Sequence, residues 1–347
     1  MDFTHFTAGK DDSGRRLDKI LRRFLSEESL SSLYKSLRKG LIKVSGKKAD
    51  GNFRVTEGDD IQIATFLLGK DFKTQSDHSE ESALNTSASS PLSKNIIVFK
   101  NESILILNKP YDILVQPSGS PNGKSLAEIV QKDYEITHKK SSLSFRTGPL
   151  HRLDRKTTGL IAFSQNLEGA KWFSETIKTH EIQKIYLAIL EGTLTENVIW
   201  EEHIKKIGVR SEALTMRNCK TRFARNEGFH TVSVNSNAGK FAHTEVSPVS
   251  HGVLFGKEIT LARILIKTGR THQIRSQASF HGFPLFGDTA YGGTKIDSRR
   301  FKHEFFLHAA ELYFPKNNPL GLPEKLTAPV PDCFMQIIRD VIGAKSL

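Results

Sequence analysis

The chain has 347 residues, 37% of them hydrophobic, and a formal net charge of +12. This length favours two domains with well-packed cores, and the positive charge favours a polyanionic partner, because each neutralised phosphate releases counterions. No apolar run reaches the ~18 residues of a membrane span, and the N-terminus lacks the pattern of a secretory signal. Cys219 and Cys333 are too few for a disulfide framework. We therefore expect a soluble, cytoplasmic protein.

Positive charge is concentrated between residues 13 and 48, where eleven Lys/Arg face three Asp/Glu. Apolar residues recur at helical spacing in "SGRRLDKILRRFL", and "LSSLYKSLRKG" predicts a second short helix that ends at Gly40. "LIKVSGKKAD" predicts a strand and a turn, and "GDDIQIATF" a closing strand. Because the charge recurs on both helices and the hairpin, we expect RNA binding, the alternative being a solvated charged surface. The candidate RNA-binding side chains are Arg15, Arg16, Lys19, Arg22, Arg23, Lys39, Lys43 and Lys47.

This arrangement, with its "GLIKVSGKKA" hairpin, resembles the S-four-like RNA-binding domain over about residues 13–66. The resemblance implies a small α/β module, which we place at residues 13–68. The serine-rich segment after it has one aromatic residue and no apolar period, so it cannot bury enough surface to offset its chain entropy. We expect residues 69–94 to form a flexible linker and residues 95–340 to form the larger domain.

The larger domain is predicted to contain many strands and few helices. "IIVFKNESILILNKP" predicts two strands joined by a tight turn at Asn101, and "SLAEIVQKDY" predicts a helix. "GLIAFSQN" predicts a strand, and a helix follows Asn166. "KIYLAILEG", "HTEVSPVS" and "EITLARILIKTG" predict further strands, the last two as a hairpin around residues 251–258. The expected fold class is α+β on a mostly antiparallel sheet, because no regular βαβ rhythm is present.

The sequence lacks the common motifs for cofactors and metals. "SGSPNGKS" has Ser118 where a phosphate-binding loop requires glycine. There is no GxGxxG after a strand, no HExxH and no paired CxxC. We therefore expect a protein that uses neither a metal nor a cofactor.

Asp154 and Tyr186 belong to two polar segments that attract attention. In "HRLDRKTTGLIAF", Asp154 lies among basic residues, and nearby cations favour the ionised form of a carboxylate. Asp154 is thus a candidate nucleophile, although a loop-tying ion pair is slightly favoured when this segment is taken alone. Tyr186, in "KIYLAILEG", can stack on a base in a cleft, although core packing is the simpler interpretation of that strand.

A third polar segment, "KTGRTHQIRSQASFHGFPLFGDTAYGG", predicts a short helix after a strand. His272 and Arg275 share one face of this helix because they are three residues apart. Together with Arg270 they form a candidate site for an anion or a carboxylate.

The order of these segments decides between the alternatives. "HRLDRKTTGLIAFSQN", "KIYLAILEG" and the third segment resemble successive motifs of the RluA-type pseudouridine synthases, and "ILILNKPYDILVQPSG" is similar to that family's first motif. The resemblance covers about residues 95–315. It implies the pseudouridine synthase fold on a mostly antiparallel mixed sheet, and an isomerase of RNA that needs no cofactor or metal. An S-four-like domain ahead of such a catalytic domain is familiar in this family.

The resemblance also implies residue roles. Asp154 matches the catalytic aspartate that attacks the target uridine, and Tyr186 matches the tyrosine that stacks on the uracil. Arg275 matches the arginine that pairs with the catalytic carboxylate, and Arg152 the arginine that takes the place of the flipped base. Further candidate RNA contacts of this domain are Arg155, Arg270 and His272.

The expected partner is structured RNA, in the first place large-subunit ribosomal RNA, with transfer RNA as the alternative and a monomer as the expected state. Two other classes stay open: a non-catalytic RNA-binding or ribosome-assembly protein, and a hydrolase that uses Asp154 with His151 or His272. The chain departs from the family pattern at Lys156, where an acidic or small residue is more usual, at Thr158, where serine is more usual, and at Gln277, where histidine is common.

Overall fold

The computed structural model describes residues 1–25, 27–68, 91–117, 124–138, 142–207, 231–235, 239–297 and 301–339. The chain divides into two compact units. The first comprises Met1–Ser93, Ile129–Gly148 and Gln165–Glu168, and the second comprises Lys94–Glu128, Pro149–Ser164 and Gly169–Leu347. Most of the predicted linker, residues 69–94, lies outside the described residues, so its flexibility and the predicted domain limits stay predictions.

The first unit contains a four-stranded antiparallel sheet and two helices. The strands are β1 (Phe3–Thr7), β2 (Ile42–Val44), β3 (Lys47–Lys48) and β4 (Asp60–Ala64), in the order β1-β4-β2-β3, and the helices are α1 (Leu17–Phe24) and α2 (Leu30–Lys39). Both predicted helices and the predicted hairpin are confirmed. The Ser29 hydroxyl caps α2 by accepting a hydrogen bond from the Ser32 N–H, and Gly40 ends it with a left-handed φ of 72°.

A buried carboxylate connects residues 142–145 to this first unit. Asp12 is fully buried and accepts hydrogen bonds from the backbone N–H groups of Leu143 at 2.7 Å and Ser144 at 2.9 Å. Leu143 also packs against the apolar cluster formed by the inner faces of α1, α2 and the sheet. The unit is therefore not contiguous in sequence.

The second unit is built on one ten-stranded sheet. Its strands are β5 (Ile97–Lys100), β6 (Ile104–Lys109), β7 (Thr158–Ser164), β8 (Gln183–Glu191), β9 (Val198–Ile207), β10 (Thr231–Asn235), β11 (Lys240–Leu254), β12 (Lys257–Ile266), β13 (Leu307–Tyr313) and β14 (Lys325–Thr327). They follow the order β10-β9-β11-β12-β8-β13-β7-β6-β5, and β14 pairs with β13. The described pairings are antiparallel apart from that of β7 with β13. The expected α+β class on a mostly antiparallel mixed sheet is confirmed.

Four further helices are α3 (Leu126–Thr137), α4 (Leu167–Lys178), α5 (Gln273–Phe280) and α6 (Asp332–Ile337). The predicted turn at Asn101 is confirmed, because its side-chain oxygen accepts hydrogen bonds from the N–H groups of Ser103 and Ile104. Leu160 and Phe173 join one apolar cluster of this unit, and Leu187 and Phe306 join another. No helix in the described part of the chain is long and apolar enough to cross a membrane.

Candidate active site

A pocket in the second unit brings the polar segments together. Its lining includes six of the predicted site residues, namely Arg152, Asp154, Tyr186, Arg270, His272 and Arg275. They come from the turn before β7, from β8, and from the start of α5 with the residues that precede it. Arg155 is not part of the lining and instead pairs with Asp112, with Nε 2.9 Å from the carboxylate.

Asp154 lies in a turn that is held from both sides. Its carbonyl oxygen accepts a hydrogen bond from the Thr157 N–H at 3.1 Å. On the other side, Nε2 of His151 accepts a hydrogen bond from the Ala162 N–H at 3.1 Å. Burial lowers the pKa of His151 to about 3, so its ring is neutral at physiological pH. His151 therefore helps to hold the turn in place, and its Nε2 is not free to act as the base of a hydrolase.

Lys109, at the end of β6, supports the same turn. The side chain is fully buried, and Nζ donates to the carbonyl oxygens of Pro110 at 3.0 Å, Ile113 at 2.9 Å and Arg155 at 2.8 Å. Burial lowers the pKa of Lys109 to about 7, although the charge of Asp154 acts in the opposite direction. Sequence reasoning missed this residue, and the available signal was a lysine that ends the apolar run "ILILNK".

Arg275 reaches Asp154 but is held by a second carboxylate, Asp288. Nε and Nη2 of Arg275 donate to Asp288 at 2.6 and 2.8 Å, whereas Nη1 lies 3.7 Å from Oδ2 of Asp154. The guanidinium carbon lies 4.9 Å from the ring centre of Tyr291 and 4.6 Å from that of Phe305. Burial lowers the pKa of Arg275, but the bonds to Asp288 and the charge of Asp154 raise it by more. Arg275 is thus a fixed cation, and Asp288 is a residue that sequence reasoning missed.

His272 occupies the position before α5 with a left-handed φ of 52°. Its Nδ1 lies 2.8 Å from the Tyr291 hydroxyl, and its Nε2 lies 3.9 Å from Oδ1 of Asp154. Burial lowers the pKa of His272 in spite of the neighbouring Asp154 charge. Its ring is therefore uncharged at neutral pH and faces the carboxylate without a short hydrogen bond.

Tyr186 presents a protonated phenol to the pocket. The side chain is 5% exposed and lies on β8. Burial raises the pKa of its hydroxyl, and the negative charge of Asp154 raises it further. The ring is thus a neutral, largely apolar surface beside the carboxylate.

Two arginines at this pocket are fixed by single hydrogen bonds. Nη1 of Arg152 donates to the Thr271 hydroxyl at 3.1 Å, and Nε of Arg270 donates to the Phe241 carbonyl at 2.8 Å. Both guanidinium groups have further N–H donors, as an RNA contact requires.

The predicted RNA-binding residues of the first unit fall into two groups. Three arginines of the first group make intramolecular hydrogen bonds. Arg15 donates to the Ser144 hydroxyl at 3.0 Å, Arg16 donates to Asp18 at 2.7 Å, and Arg23 donates to the Leu143 carbonyl at 2.8 Å. Burial lowers the pKa of Arg23. The remaining side chains are exposed or, for Lys43, half-buried; they are Lys19, Arg22, Lys39, Lys43 and Lys47.

Two of the three departures from the family pattern, Thr158 and Gln277, are buried and hydrogen-bonded. The Thr158 hydroxyl lies 2.8 Å from Nδ1 of His308. Gln277 accepts a hydrogen bond from the Thr244 hydroxyl at 2.6 Å and donates to Glu202 at 2.6 Å. Both side chains are therefore engaged in hydrogen bonds within the second unit. Among the described residues, no group of three or more His, Cys, Asp or Glu side chains is placed to hold a metal.

Comparison with known proteins agrees with these observations. The sequence model described as RNA pseudouridylate synthase matches residues 103–280, and that of the S4 domain matches residues 15–61. Ribosomal large subunit pseudouridine synthase C of Escherichia coli (strain K12) is 27% identical over 341 residues, which are 96% of this chain and 95% of the relative. The protein of that name from Haemophilus influenzae is 27% identical over 316 residues, 90% and 87% of the two chains.

A solved structure, human RNA Pseudouridylate Synthase Domain Containing 4, shares the fold, with a TM-score of 0.51 and 19% identity over 71% of this chain and 92% of that chain. Both resemblances inferred from the motifs are confirmed. The RNA pseudouridylate synthase model matches more than half of the residues of this chain, and the chain therefore belongs to the RNA pseudouridylate synthase family.

Proposed function

We propose that this pseudouridine synthase acts on uridines of large-subunit ribosomal RNA. The similarity to relatives named for that substrate extends over almost the whole chain, including the N-terminal RNA-binding unit. We further propose that the chain acts as a monomer in the cytoplasm.

The proposed reaction breaks the bond between the ribose and N1 of uracil, rotates the base and rejoins it through C5, which loses its proton while N1 gains one. Nothing is oxidised and no group leaves the substrate, so the chemistry requires no cofactor and no metal. The enzyme must first extract the uridine from its stack, which costs about a few kcal/mol. The pocket must offset this cost and provide a nucleophile.

The observation that carries the proposal is the difference between two carboxylates around Arg275. Both oxygens of Asp288 accept short hydrogen bonds from Arg275, so Asp288 is committed to holding the guanidinium. The side chain of Asp154 is 15% exposed. Its carboxylate lies 3.7 Å from Nη1 of the Arg275 cation and 3.9 Å from Nε2 of the neutral His272 ring. Asp154 is oriented but not saturated, which suits a nucleophile that attacks ribose C1′ or uracil C6.

Tyr186 is proposed to receive the flipped base. A base that stacks on an aromatic ring gains roughly 1–3 kcal/mol, which offsets a large part of the unstacking cost. The protonated hydroxyl avoids a second negative charge next to Asp154. Arg152 is proposed to enter the space that the uridine leaves in the RNA.

Tritium release tests this function. The protein is incubated with unmodified large-subunit ribosomal RNA transcripts, or with transfer RNA, labelled with tritium at uracil C5, and the released label is counted. We expect release from the ribosomal transcript, a loss of at least about 10⁴-fold in the Asp154→Asn variant, and nearly unchanged RNA binding by that variant. If tritium is released from transfer RNA and not from the ribosomal transcript, the substrate is transfer RNA and the proposed ribosomal substrate is wrong. No release from either RNA would refute the assignment.

A further inference from the structure

Lys184 is a largely buried cation for which the described part of the chain provides no counterion. It lies on β8, is 8% exposed, and its ammonium makes no hydrogen bond or ion pair with any residue in the described ranges. Burial lowers the pKa of Lys184 to about 8, and the positive charge of Arg270 contributes in the same direction. Buried charges in proteins are normally paired, because desolvation of an ion costs several kcal/mol. The other buried lysine of this sheet, Lys109, follows that rule with its three carbonyl partners.

The position of Lys184 places it next to the pocket. Lys184 and Tyr186 lie on the same face of β8, because side chains alternate along a strand. In the register between β8 and β12, Lys184 lies opposite Ile266, which is part of the pocket lining. The two side chains of β8 are therefore about 7 Å apart along the strand, a separation of the order of that between a nucleobase and its own phosphate.

The surroundings of Lys184 are positive. Its charge lowers the pKa of His151, and the Arg270 charge in turn lowers the pKa of Lys184. Arg152 follows His151 and lines the pocket with Arg270. Asp154 affects the pKa of Arg275 and Lys109, but no carboxylate raises that of Lys184. The catalytic carboxylate is thus not the counterion of Lys184.

We propose that Lys184 and Arg270 form a binding site for the phosphodiester that adjoins the flipped uridine. This inference rests on the proposed function, since a flipped nucleotide brings its backbone phosphate to the pocket while its uracil is neutral. Phosphate oxygens are strong acceptors for ammonium and guanidinium groups. Lys184 is largely buried, so solvent screens its attraction for a phosphate less than it would at the open surface.

Two variants and a matched control test the site. Lys184→Met keeps most of the side-chain volume and removes the charge, and Lys184→Arg keeps the charge. Lys267→Met is the control, because Lys267 is half exposed and already paired with Glu245. The RNA concentration for half-maximal rate (K1/2) and the maximal single-turnover rate are measured by tritium release from the ribosomal transcript at several salt concentrations.

We expect Lys184→Met to raise K1/2 about tenfold and to leave the maximal rate within about twofold. The slope of log K1/2 against log salt concentration should fall by about 0.7–0.9, the change expected for the loss of one phosphate contact. Lys184→Arg and Lys267→Met should resemble the wild type. A Lys184→Met variant with unchanged K1/2 and slope, or with a slower maximal rate alone, contradicts the phosphate site. A wild type that releases no label from the transcript refutes the proposed function instead.

Thermal unfolding separates binding from a structural role. Removal of a buried, unpaired charge should leave Lys184→Met at least as stable as the wild type, because the desolvation cost disappears. If the ammonium instead supports the fold, Lys184→Met unfolds at a lower temperature, and the inference is wrong.

Discussion

The ammonium of Lys109 and the carbonyl oxygen of Arg155 lie 2.8 Å apart, and this hydrogen bond joins the end of β6 to the turn that carries Asp154. The same ammonium also holds the carbonyl groups of Pro110 and Ile113. The position of the proposed nucleophile therefore depends on a side chain that lies outside the pocket lining.

Replacement of Lys109 by methionine should affect both stability and rate. Three carbonyl groups lose a hydrogen-bond donor, so we expect the free energy of unfolding to fall by about 2–4 kcal/mol. The misplaced turn should reduce the maximal single-turnover rate about 10²-fold. Denaturant titration and tritium release measure the two effects, with Lys257→Met, at an exposed position, as the control. A normal rate in Lys109→Met would show that the turn keeps its place without this lysine.

Asp288→Asn should destabilise the protein by about 3 kcal/mol, because it leaves the buried guanidinium of Arg275 with one long ion pair. The rate should also fall, since Arg275 no longer has a fixed orientation toward Asp154. Glu324→Gln, which removes an exposed partner of Lys316 3.7 Å away, is the control and should change stability by less than about 0.5 kcal/mol. Equal stabilities of the two variants would contradict this role of Asp288.

The buried ring of His308 should make the stability of the folded protein sensitive to acid. Its ring is fully buried between the Thr158 hydroxyl and the Ala328 carbonyl, and burial lowers its pKa from 6.5 to about 4. Between these two pH values the unfolded chain binds more protons than the folded protein, so stability falls as the pH falls. The contribution of this one group amounts to about 3 kcal/mol.

The test compares unfolding free energies of the wild type and His308→Gln from pH 7 to pH 4. The variant cannot titrate at this position, so its curve should be shallower in that window. His180→Gln, at an exposed position, should follow the wild type. Parallel curves for wild type and His308→Gln would exclude His308 as a cause of acid sensitivity.

Gly159 is required where β7 meets β13. Its φ is 105°, and a methyl group at this position would overlap the carbonyl oxygen of Ala309 on the parallel strand. We expect Gly159→Ala to cost at least about 3 kcal/mol of unfolding free energy. Gly256→Ala, with a φ of 71° and open space around it, should cost only about 1 kcal/mol. Similar losses in denaturant titrations of the two variants would remove the steric explanation.

The exposed lysines of the first unit should affect RNA affinity without affecting chemistry. We expect the double variant Lys39→Gln/Lys47→Gln to raise K1/2, to reduce its salt dependence, and to leave the maximal rate unchanged. Lys316→Gln, at an exposed position of the second unit, is the control. An unchanged K1/2 would argue against RNA binding through this face.

Much of the architecture could be predicted because it depends on local periodicity. The helical spacing of apolar residues predicted α1 and α2, and the strand-like runs predicted β6, β7, β8 and the β11–β12 hairpin. The strands β1, β9, β10, β13 and β14 were not predicted. Their pairing depends on partners distant in sequence.

The sequence by itself determined the family and the proposed nucleophile, because the motifs around Asp154, Tyr186 and Arg275 are contiguous segments whose order is visible without the fold. Only the tertiary structure decided which groups hold them. Asp288 binds Arg275, Lys109 binds the Asp154 turn, and Lys184 has no counterion among the described residues, because burial and hydrogen-bond geometry arise only when distant segments pack together.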